Sequence, residues 1–346
     1  MKRSGLAKTL ALTTLALFFC CNTSLAESSK PITWKLLDYD SPVANTVYNE
    51  NLFQWWAKEV NKRTSGRIQV QVFHSEMLAK TGDFLTALDT GIADVAHVPI
   101  PAYPGRFPVT EFLTDTPVCY GDARLIAAVI KNLTAAGLMK EYEGPKPVSH
   151  LYAGTMCLFT TKKKISKLED LKGLKIRARG ASSSRLVESL GATPVTIGNA
   201  DLYTALERGT TDGLVTSLTY VEYAKLYEVT KYFVDHGLTG GVRFLMVGKR
   251  QWSNLSPDLQ QILLQLGEET SARYARGSVL EAEKGRQAFK NSGGTIYKLD
   301  PEEWGRFRKV MDSVVEALSG GLQAKGVRWA EVKEIIDSTK RSYKPE

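Results

Sequence analysis

An arginine at the end of a strand pattern is the sequence feature most suited to binding an anion. Arg177 closes the pattern Leu174-Lys175-Ile176-Arg177 just before a glycine-containing turn. Open α/β sheets bind ligands at the carboxyl ends of their strands. A guanidinium stays charged at any working pH and presents paired donors to a carboxylate. The position therefore predicts a carboxylate site, and a surface arginine paired with a local acid is the alternative.

A second arginine interrupts an otherwise apolar strand pattern. Arg243 lies within Val242-Arg243-Phe244-Leu245-Met246-Val247. A charge in such a strand costs free energy unless an anionic partner or a wet cavity compensates it. We therefore expect Arg243 to face either a ligand pocket or an internal ion-pair partner, and the sequence leaves both interpretations open.

Four further residues fall at turns or strand ends, where they are candidates for lining a ligand cleft. Asn199 lies at the turn ahead of a helix pattern, so it either lines the cleft or only begins that helix. Tyr39 ends the first strand pattern, and Pro99 and Ile100 end a later one. Because ligands bind at strand ends, we expect these three to meet the ligand from the other side.

Catalytic and metal-binding patterns are missing from the sequence. The four histidines, His74, His97, His150 and His236, are scattered, and none lies at helical spacing from another. The sequence also lacks a nucleophile elbow, a phosphate-binding loop and a dinucleotide fingerprint. We therefore expect no catalytic residue, no metal and no cofactor. A hydrolase that uses Asp and Glu side chains, which need no motif, is the remaining enzyme hypothesis.

Residues 1–26 have the organisation of a secretory signal peptide. Lys2 and Arg3 precede an apolar run that extends from Leu10 to Phe19, and Ser24-Leu25-Ala26 supplies small residues before the cleavage point. The run is shorter than the roughly 20 residues that span a bilayer. We expect cleavage after Ala26 and a mature protein located in the periplasm.

Cysteine usage fits an exported protein. Cys119 and Cys157 are the only cysteines beyond the signal segment, so an oxidising compartment allows one bridge between them. Two buried thiols are the alternative. Acylation of Cys20 or Cys21 is disfavoured, because Phe19 stands where a lipoprotein signal has a small residue.

Length and composition indicate a folded protein of two domains. The chain has 346 residues, of which 43% are hydrophobic and 24% are charged. Its formal charge of +8 includes three cations of the signal segment. Basic residues are not concentrated with aromatic residues, so we expect no nucleic-acid partner. Nothing in the sequence requires more than a monomer.

Strand and helix patterns alternate along the chain. A helix pattern from Leu52 to Val60 precedes the strict alternation Ile68-Gln69-Val70-Gln71-Val72, and a short helix ending at Gly91 precedes the apolar run Val95 to Ile100. A second round of strands and helices begins near Leu174. Such βαβ patterns predict α/β lobes with mostly parallel sheets. Two rounds separated by a long extended segment predict two lobes joined by crossing strands.

A long helix pattern follows the second round. Ser256-Pro257 begins it, and apart from Gly277 no strong breaker occurs before Asn291-Ser292-Gly293-Gly294. A helix of about 30 residues is long enough to run along both lobes. The predicted first lobe consists of residues 27–153 and 242–281, and the second of residues 154–241 and 282–346.

Seven segments share their order and spacing with a known family over nearly the whole mature chain. They are Thr64–Ile68, Gly105–Pro108, Leu168–Arg177, Leu190–Val195, Tyr203–Glu207, Thr211–Gly213 and Leu226–Val229. Together they resemble the solute-binding subunits of TRAP (tripartite ATP-independent periplasmic) transporters of the dicarboxylate-binding, DctP, type. The resemblance implies a two-lobed periplasmic binding protein fold.

The resemblance also implies a function. Such a protein captures a small organic acid, and TRAP permease membrane subunits then take the solute up with an ion gradient. The resemblance assigns Arg177 to the ligand carboxylate and places Thr216 where the family commonly has an asparagine that orients the ligand. Thr216 offers one hydroxyl and a methyl, so we expect a less polar pocket there. A receptor for another importer or for a sensor is the alternative within binding proteins.

Overall fold

Two β-sheets form the framework of the protein in the computed structural model, which describes residues 30–44, 46–152, 154–178 and 180–344. The expected signal segment lies outside the described residues. None of the helices that the structure describes combines the length and apolarity needed to cross a bilayer. Helices cover both sheets, and a short hairpin accompanies the first sheet.

The strands are β1 (Ile32–Leu37), β2 (Thr46–Val47), β3 (Glu50–Asn51), β4 (Ile68–Phe73), β5 (Val95–Pro99), β6 (Lys146–Tyr152), β7 (Met156–Thr160), β8 (Lys175–Arg177), β9 (Thr193–Val195), β10 (Gly213–Thr216), β11 (Tyr232–Thr239), β12 (Val242–Val247) and β13 (Thr295–Tyr297). The helices are α1 (Leu52–Arg63), α2 (Phe84–Thr90), α3 (Pro108–Asp115), α4 (Ala123–Ala135), α5 (Gly180–Ser189), α6 (Leu202–Glu207), α7 (Leu218–Tyr223), α8 (Lys249–Ser253), α9 (Pro257–Asn291), α10 (Pro301–Ala324) and α11 (Trp329–Ser342).

The first sheet has the strand order β4-β1-β5-β12-β6. Strands β1, β4 and β5 are parallel, whereas β12 runs antiparallel to both of its neighbours. Strand β4 lies at the edge of the sheet, so its alternating sequence buries Ile68 and exposes Gln69 and Gln71. Helix α1 precedes β4 in the chain. It begins where the Asn51 side chain accepts hydrogen bonds from the backbone N–H groups of Phe53 and Gln54.

The second sheet has the order β13-β11-β7-β10-β8-β9. Its central strand β10 is buried along its whole length, in agreement with the apolar run Leu214-Val215. Two direct strand-to-strand connections cross between the sheets, from β6 to β7 and from β11 to β12. These crossings lie side by side, because Tyr152 pairs with Val242 in the first sheet and Met156 pairs with Thr239 in the second.

The long helix predicted to run along both lobes is confirmed. Helix α9 has 35 residues, about 52 Å at 1.5 Å per residue. Its first half packs Leu259, Leu263 and Leu266 into a core of the first sheet, and Phe289 near its end packs into a core of the second sheet. The helix therefore connects the two lobes mechanically in addition to the crossing strands.

The carboxyl-terminal helices pack on both sheets. Phe307 and Met311 of α10 pack into a core of the second sheet. Leu322 and the α11 residues Val332 and Ile336 are instead buried in a core of the first sheet. The reason is that the apolar face of α11 packs against α4, which is a contact between segments distant in sequence.

Cys119 and Cys157 are free, buried thiols. Cys119 belongs to a core of the first sheet and Cys157 to a core of the second, so no bridge joins them. Burial raises the pKa of each thiol to about 12, which keeps both protonated and unreactive at neutral pH.

The backbone of β6 lies very close to α9 at Gly267, and this contact allows the packing of α9 on the first sheet to be tested. A Cβ atom on Gly267 would lie 1.6 Å from the carbonyl oxygen of Val148 in β6, whereas one on Gly320 of α10 would meet nothing within 4 Å. We expect Gly267→Ala to lower the free energy of unfolding in urea by about 2 kcal/mol or more, through overpacking. The control Gly320→Ala should raise it slightly, because alanine favours helix. Equal stability of both variants would contradict the packing of α9 on β6.

Candidate ligand-binding site

The carboxyl ends of β8 and β10 lie at the edge of the second sheet where the chain crosses to the first. The two strands are parallel, with Arg177 beside Leu214. Strand β7 runs antiparallel to β10 and places Cys157, near its start, beside Thr216. Because β7 begins just after the crossing from Tyr152, the predicted residues Arg177 and Thr216 lie next to that crossing.

Arg177 is buried, with 4% of its surface exposed, so it is not on an outer face. Its Nε donates a hydrogen bond to the carbonyl oxygen of Ile197 at 3.2 Å, and its Nη2 donates to Oδ1 of Asn199 at 2.8 Å. These contacts fix the plane of the guanidinium.

Asn199 contacts Arg177 through its side-chain oxygen. It begins the short 3-10 turn Asn199–Asp201, which leads into α6. Thr216, 2% exposed, ends β10 two residues beyond the partner of Arg177. The following residue, Ser217, caps α7 by accepting a hydrogen bond from the Tyr220 backbone N–H. Three predicted residues therefore share one sheet edge.

A buried carboxylate joins two histidines at the corresponding edge of the first sheet. Asp38, which is fully buried, follows β1 and contacts Nδ1 of His74 and Nδ1 of His97, both at 2.9 Å. A carboxylate only accepts hydrogen bonds, so both histidines must carry their proton on Nδ1. Asp40 lies beside this group, with an oxygen 4.0 Å from the same nitrogen of His97. Because Nδ1 of His97 donates to Asp38, these side chains form a buried hydrogen-bond network.

Tyr39 packs on this network. Its ring stacks on the His97 ring with centroids 4.5 Å apart and an angle of 22° between the planes. Among the residues that the structure describes, the buried Tyr39 hydroxyl has no hydrogen-bond partner. Burial raises the pKa of Tyr39 and Arg243 offsets this only in part, so the phenol remains a protonated donor.

Arg243 lies next to Pro99 across the β12–β5 ladder. It is partly buried, its Nη1 donates to the hydroxyl of Tyr274, and its guanidinium carbon is 5.9 Å from the centroid of the Tyr39 ring. Within the described ranges, no carboxylate lies within salt-bridge distance of it. Burial acts to lower the pKa of Arg243, but Tyr274, Tyr39 and Asp40 raise it, so the charge is kept.

The structure therefore groups the predicted residues into two clusters. Arg177, Asn199 and Thr216 form the first, at the edge of the second sheet. Tyr39, Pro99 and Arg243 form the second, at the edge of the first sheet where Tyr152 pairs with Val242. Ile100, which follows β5, is 1% exposed and packs into the hydrophobic core.

Sequence reasoning missed two participants, namely His97 and Tyr274. A signal existed for His97, which lies inside the apolar run Val95–Pro99, because a buried imidazole needs a hydrogen-bond partner. The contact between Tyr274 and Arg243 had no such signal, since it joins the middle of α9 to β12.

Comparison with known proteins identifies the family. Residues 41–320 match the model of the bacterial extracellular solute-binding proteins, family 7, DctP. The chain belongs to this family. Its members are the solute-binding proteins of TRAP transporters, which are receptors and work with membrane permease subunits.

Individual relatives agree with this assignment. The chain is 27% identical over 277 residues to the dicarboxylate-binding periplasmic protein DctP of Rhodobacter capsulatus, covering 77% of this chain and 81% of the relative. A TRAP periplasmic solute-binding protein from Desulfovibrio salexigens has a TM-score of 0.80 at 23% identity, covering 91% of this chain and 98% of its own. A TRAP solute-binding protein from Rhodoferax ferrireducens, in complex with copurified benzoate, has a TM-score of 0.72 at 23% identity. The match covers 90% of this chain and 99% of the Rhodoferax chain. The shared fold is the two-lobed one.

The histidine–aspartate network gives a prediction that is independent of the ligand. Asp38→Asn replaces a carboxylate that accepts from two buried Nδ1–H groups by an amide that can accept from only one. We expect the free energy of unfolding at pH 7 to fall by about 2 kcal/mol, the usual cost of a lost hydrogen bond to a charged group. Urea unfolding measures it, with the exposed Asp89→Asn as a control that should match the wild type. No loss in Asp38→Asn would show that the network does not stabilise the end of β1.

Proposed function

We propose that this TRAP solute-binding protein is a monomeric periplasmic receptor for a small organic acid, and that Arg177 binds the solute's carboxylate. The observation that carries the proposal is a buried guanidinium held in a fixed plane by Ile197 and Asn199 at a strand end. Two parallel N–H···O bonds to a carboxylate are charge-assisted and roughly twice as strong as neutral hydrogen bonds.

Lobe closure then buries the remainder of the solute. Tyr39, Pro99 and Arg243 meet it from the first lobe, and Thr216 contributes a hydroxyl and a methyl from the second. Support comes from the side-by-side crossings, which place both clusters beside the connections between the lobes. Contacts made only in the closed form shift the open and closed populations, and the membrane permease recognises the closed form.

Related proteins support an organic acid as the solute class. The relative from Rhodobacter capsulatus is named for dicarboxylates, and the structure from Rhodoferax ferrireducens contains benzoate. Both kinds of ligand carry a carboxylate that a guanidinium can bind. Secretion through a cleaved signal peptide and ion-gradient-driven uptake complete the proposal, in which the protein binds its solute without changing it chemically.

A thermal-shift screen over monocarboxylates, dicarboxylates and aromatic acids tests the solute class. A ligand at 100 times its dissociation constant adds about 2.7 kcal/mol to the stability of the folded state, which is easily detected. We expect at least one organic acid, and no neutral amide of the same skeleton, to raise the melting temperature. Stabilisation by uncharged solutes alone would contradict the proposal.

Calorimetric titration of the best acid tests the role of Arg177. Arg177→Gln keeps polar character but removes the charge and the paired donors, so we expect affinity to fall by about 100-fold. The matched control is Arg185→Gln, an exposed arginine on α5 of the same lobe, which should bind like the wild type. Asn199→Ala should weaken binding less, because it loosens the guanidinium without removing it. Unchanged affinity in Arg177→Gln would exclude the proposed role.

A further inference from the structure

A cavity of about 410 Å³ opens on the first lobe, and its lining shares no residue with the two clusters described above. Three segments form it, namely the turn before α3, the segment before β6 and the connection from α10 to α11. Val109 and Leu138 line the cavity and also belong to a core of the first sheet. Small-molecule sites have volumes of about 300 to 1,000 Å³. The cavity is therefore large enough for a small organic ligand.

The lining of this cavity is strongly cationic. All three segments contribute basic side chains, and the four that line it are exposed: Arg106, Lys140, Lys325 and Arg328. Glu141 is the only acidic residue among the described residues of the lining. Cations that converge on one concave surface raise the local concentration of anions. The cavity is therefore suited to an anionic ligand.

The carboxylate of Glu141 serves the protein's own backbone. One of its oxygens accepts a hydrogen bond from the Val109 N–H at 2.7 Å, and the other accepts from the Thr110 N–H at 2.9 Å. Burial raises the pKa of Glu141, and the hydrogen bonds from Thr110 and Val109 act in the opposite direction. Within the described ranges, Glu141 forms no ion pair with a cation of the lining. Glu141 therefore stabilises the start of α3 and is not an ion-pair partner of these cations.

The two arginines are positioned by contacts that leave donors for a ligand. Nη1 of Arg106 donates to the carbonyl oxygen of Glu141 at 2.9 Å, and its guanidinium carbon lies 5.0 Å from the centroid of the Phe107 ring. Arg328 forms an exposed ion pair with Glu331 at 3.1 Å. A guanidinium has five N–H donors, and each of these contacts uses only part of that set.

The two lysines contribute charge that the protein does not pair. In the part of the chain that the structure describes, neither Lys140 nor Lys325 has an acidic group within salt-bridge distance. A Cβ atom on Gly105 would lie 3.4 Å from Nζ of Lys325, so the glycine leaves space beside that ammonium group. Each ammonium group can donate three hydrogen bonds. Both lysines are therefore available to an anion in the cavity.

A phosphate group on a carbon skeleton fits this combination of charge and apolar surface. A phosphate ester keeps its negative charge and presents several strong acceptor oxygens, so it can accept from lysine and arginine donors at once. Arginine contacts phosphate through paired donors, whereas lysine acts as a point charge. Val109, Leu138 and Val327 offer apolar contact to the carbon part of such a molecule.

We propose that this cavity is a binding site for a phosphate ester, carried either by a membrane lipid headgroup or by a soluble molecule. Arg106, Lys140 and Lys325 contact the phosphate oxygens, and the apolar side chains contact the attached carbons. The inference does not depend on the carboxylate site at Arg177, because the two sites share no residue. A lipid bound in the cavity would hold the receptor at the membrane surface.

Calorimetric titration with butyl phosphate tests the site on the full mature chain. In the double variant Lys140→Gln with Lys325→Gln, we expect affinity to fall by about 10-fold or more, the usual effect of losing hydrogen bonds to charged groups. Both side chains are exposed, so folding should be unaffected. The control is Lys62→Gln with Lys131→Gln, which removes the same charge from exposed positions outside the cavity and should bind like the wild type. Inorganic phosphate should bind more weakly than butyl phosphate, because it has no carbon chain.

Vesicle sedimentation distinguishes the two sources of the phosphate. The vesicles consist of phosphatidylcholine with or without phosphatidylglycerol. If a lipid headgroup is the ligand, the wild type and the control variant should sediment with phosphatidylglycerol, and binding should fall by about 10-fold in the cavity variant because two lysines near an anionic surface are lost. Excess butyl phosphate should release the bound protein. Butyl phosphate binding without vesicle binding would assign the site to a soluble ester.

Three results would overturn the site. The first is a failure to bind both butyl phosphate and phosphatidylglycerol vesicles. The second is an equal loss of binding in the cavity variant and the control variant, which would show unspecific attraction to the protein's positive charge. The third is binding of butyl phosphate that disappears in Arg177→Gln and survives in the cavity variant, since the phosphate would then occupy the proposed carboxylate site. None of these results bears on whether Arg177 binds an organic acid.

Discussion

The burial of guanidinium charge is the constraint on which the candidate site depends. Removing a charge from water costs several kcal/mol unless good partners replace the lost hydration. Carbonyl and amide oxygens accept hydrogen bonds from Arg177, and a phenol oxygen accepts one from Arg243. These acceptors orient each guanidinium, and the function that we propose uses the charge of Arg177 to bind an anion that arrives from solution.

Packed neighbours hold both guanidinium groups in place. The Asp38 carboxylate holds His74 and His97, and His97 supports the Tyr39 ring beside Arg243. On the other sheet, the parallel pairing of β8 with β10 fixes the strand end that carries Arg177. The two crossings lie side by side, and α9 packs into cores of both sheets. These contacts hold each cluster within its own lobe, and the lobe closure that we propose takes place in the connections between them.

Much of this architecture is encoded locally in the sequence. The alternation in Ile68–Phe73 predicts a strand with one covered face, and the uninterrupted pattern after Ser256-Pro257 predicts the long helix. Arg177 could be placed at a strand end because a turn follows it at once. Motif spacing was sufficient to recognise the family, which residues 41–320 confirm. Each of these inferences depends on residues close together in the chain, where periodicity and turn chemistry act directly.

Other features depended on contacts between distant segments. The sequence predicted either a ligand pocket or an internal ion pair around Arg243, and only packing placed Tyr274 of α9 beside it. Likewise, only packing put Cys119 and Cys157 in separate cores, placed Ile100 in the interior and attached α11 to the first sheet. The sequence by itself thus determined the elements, the family and the strand-end arginine. The tertiary structure decided which side chains surround each charge, because partners far apart in sequence leave no periodic signal in either segment.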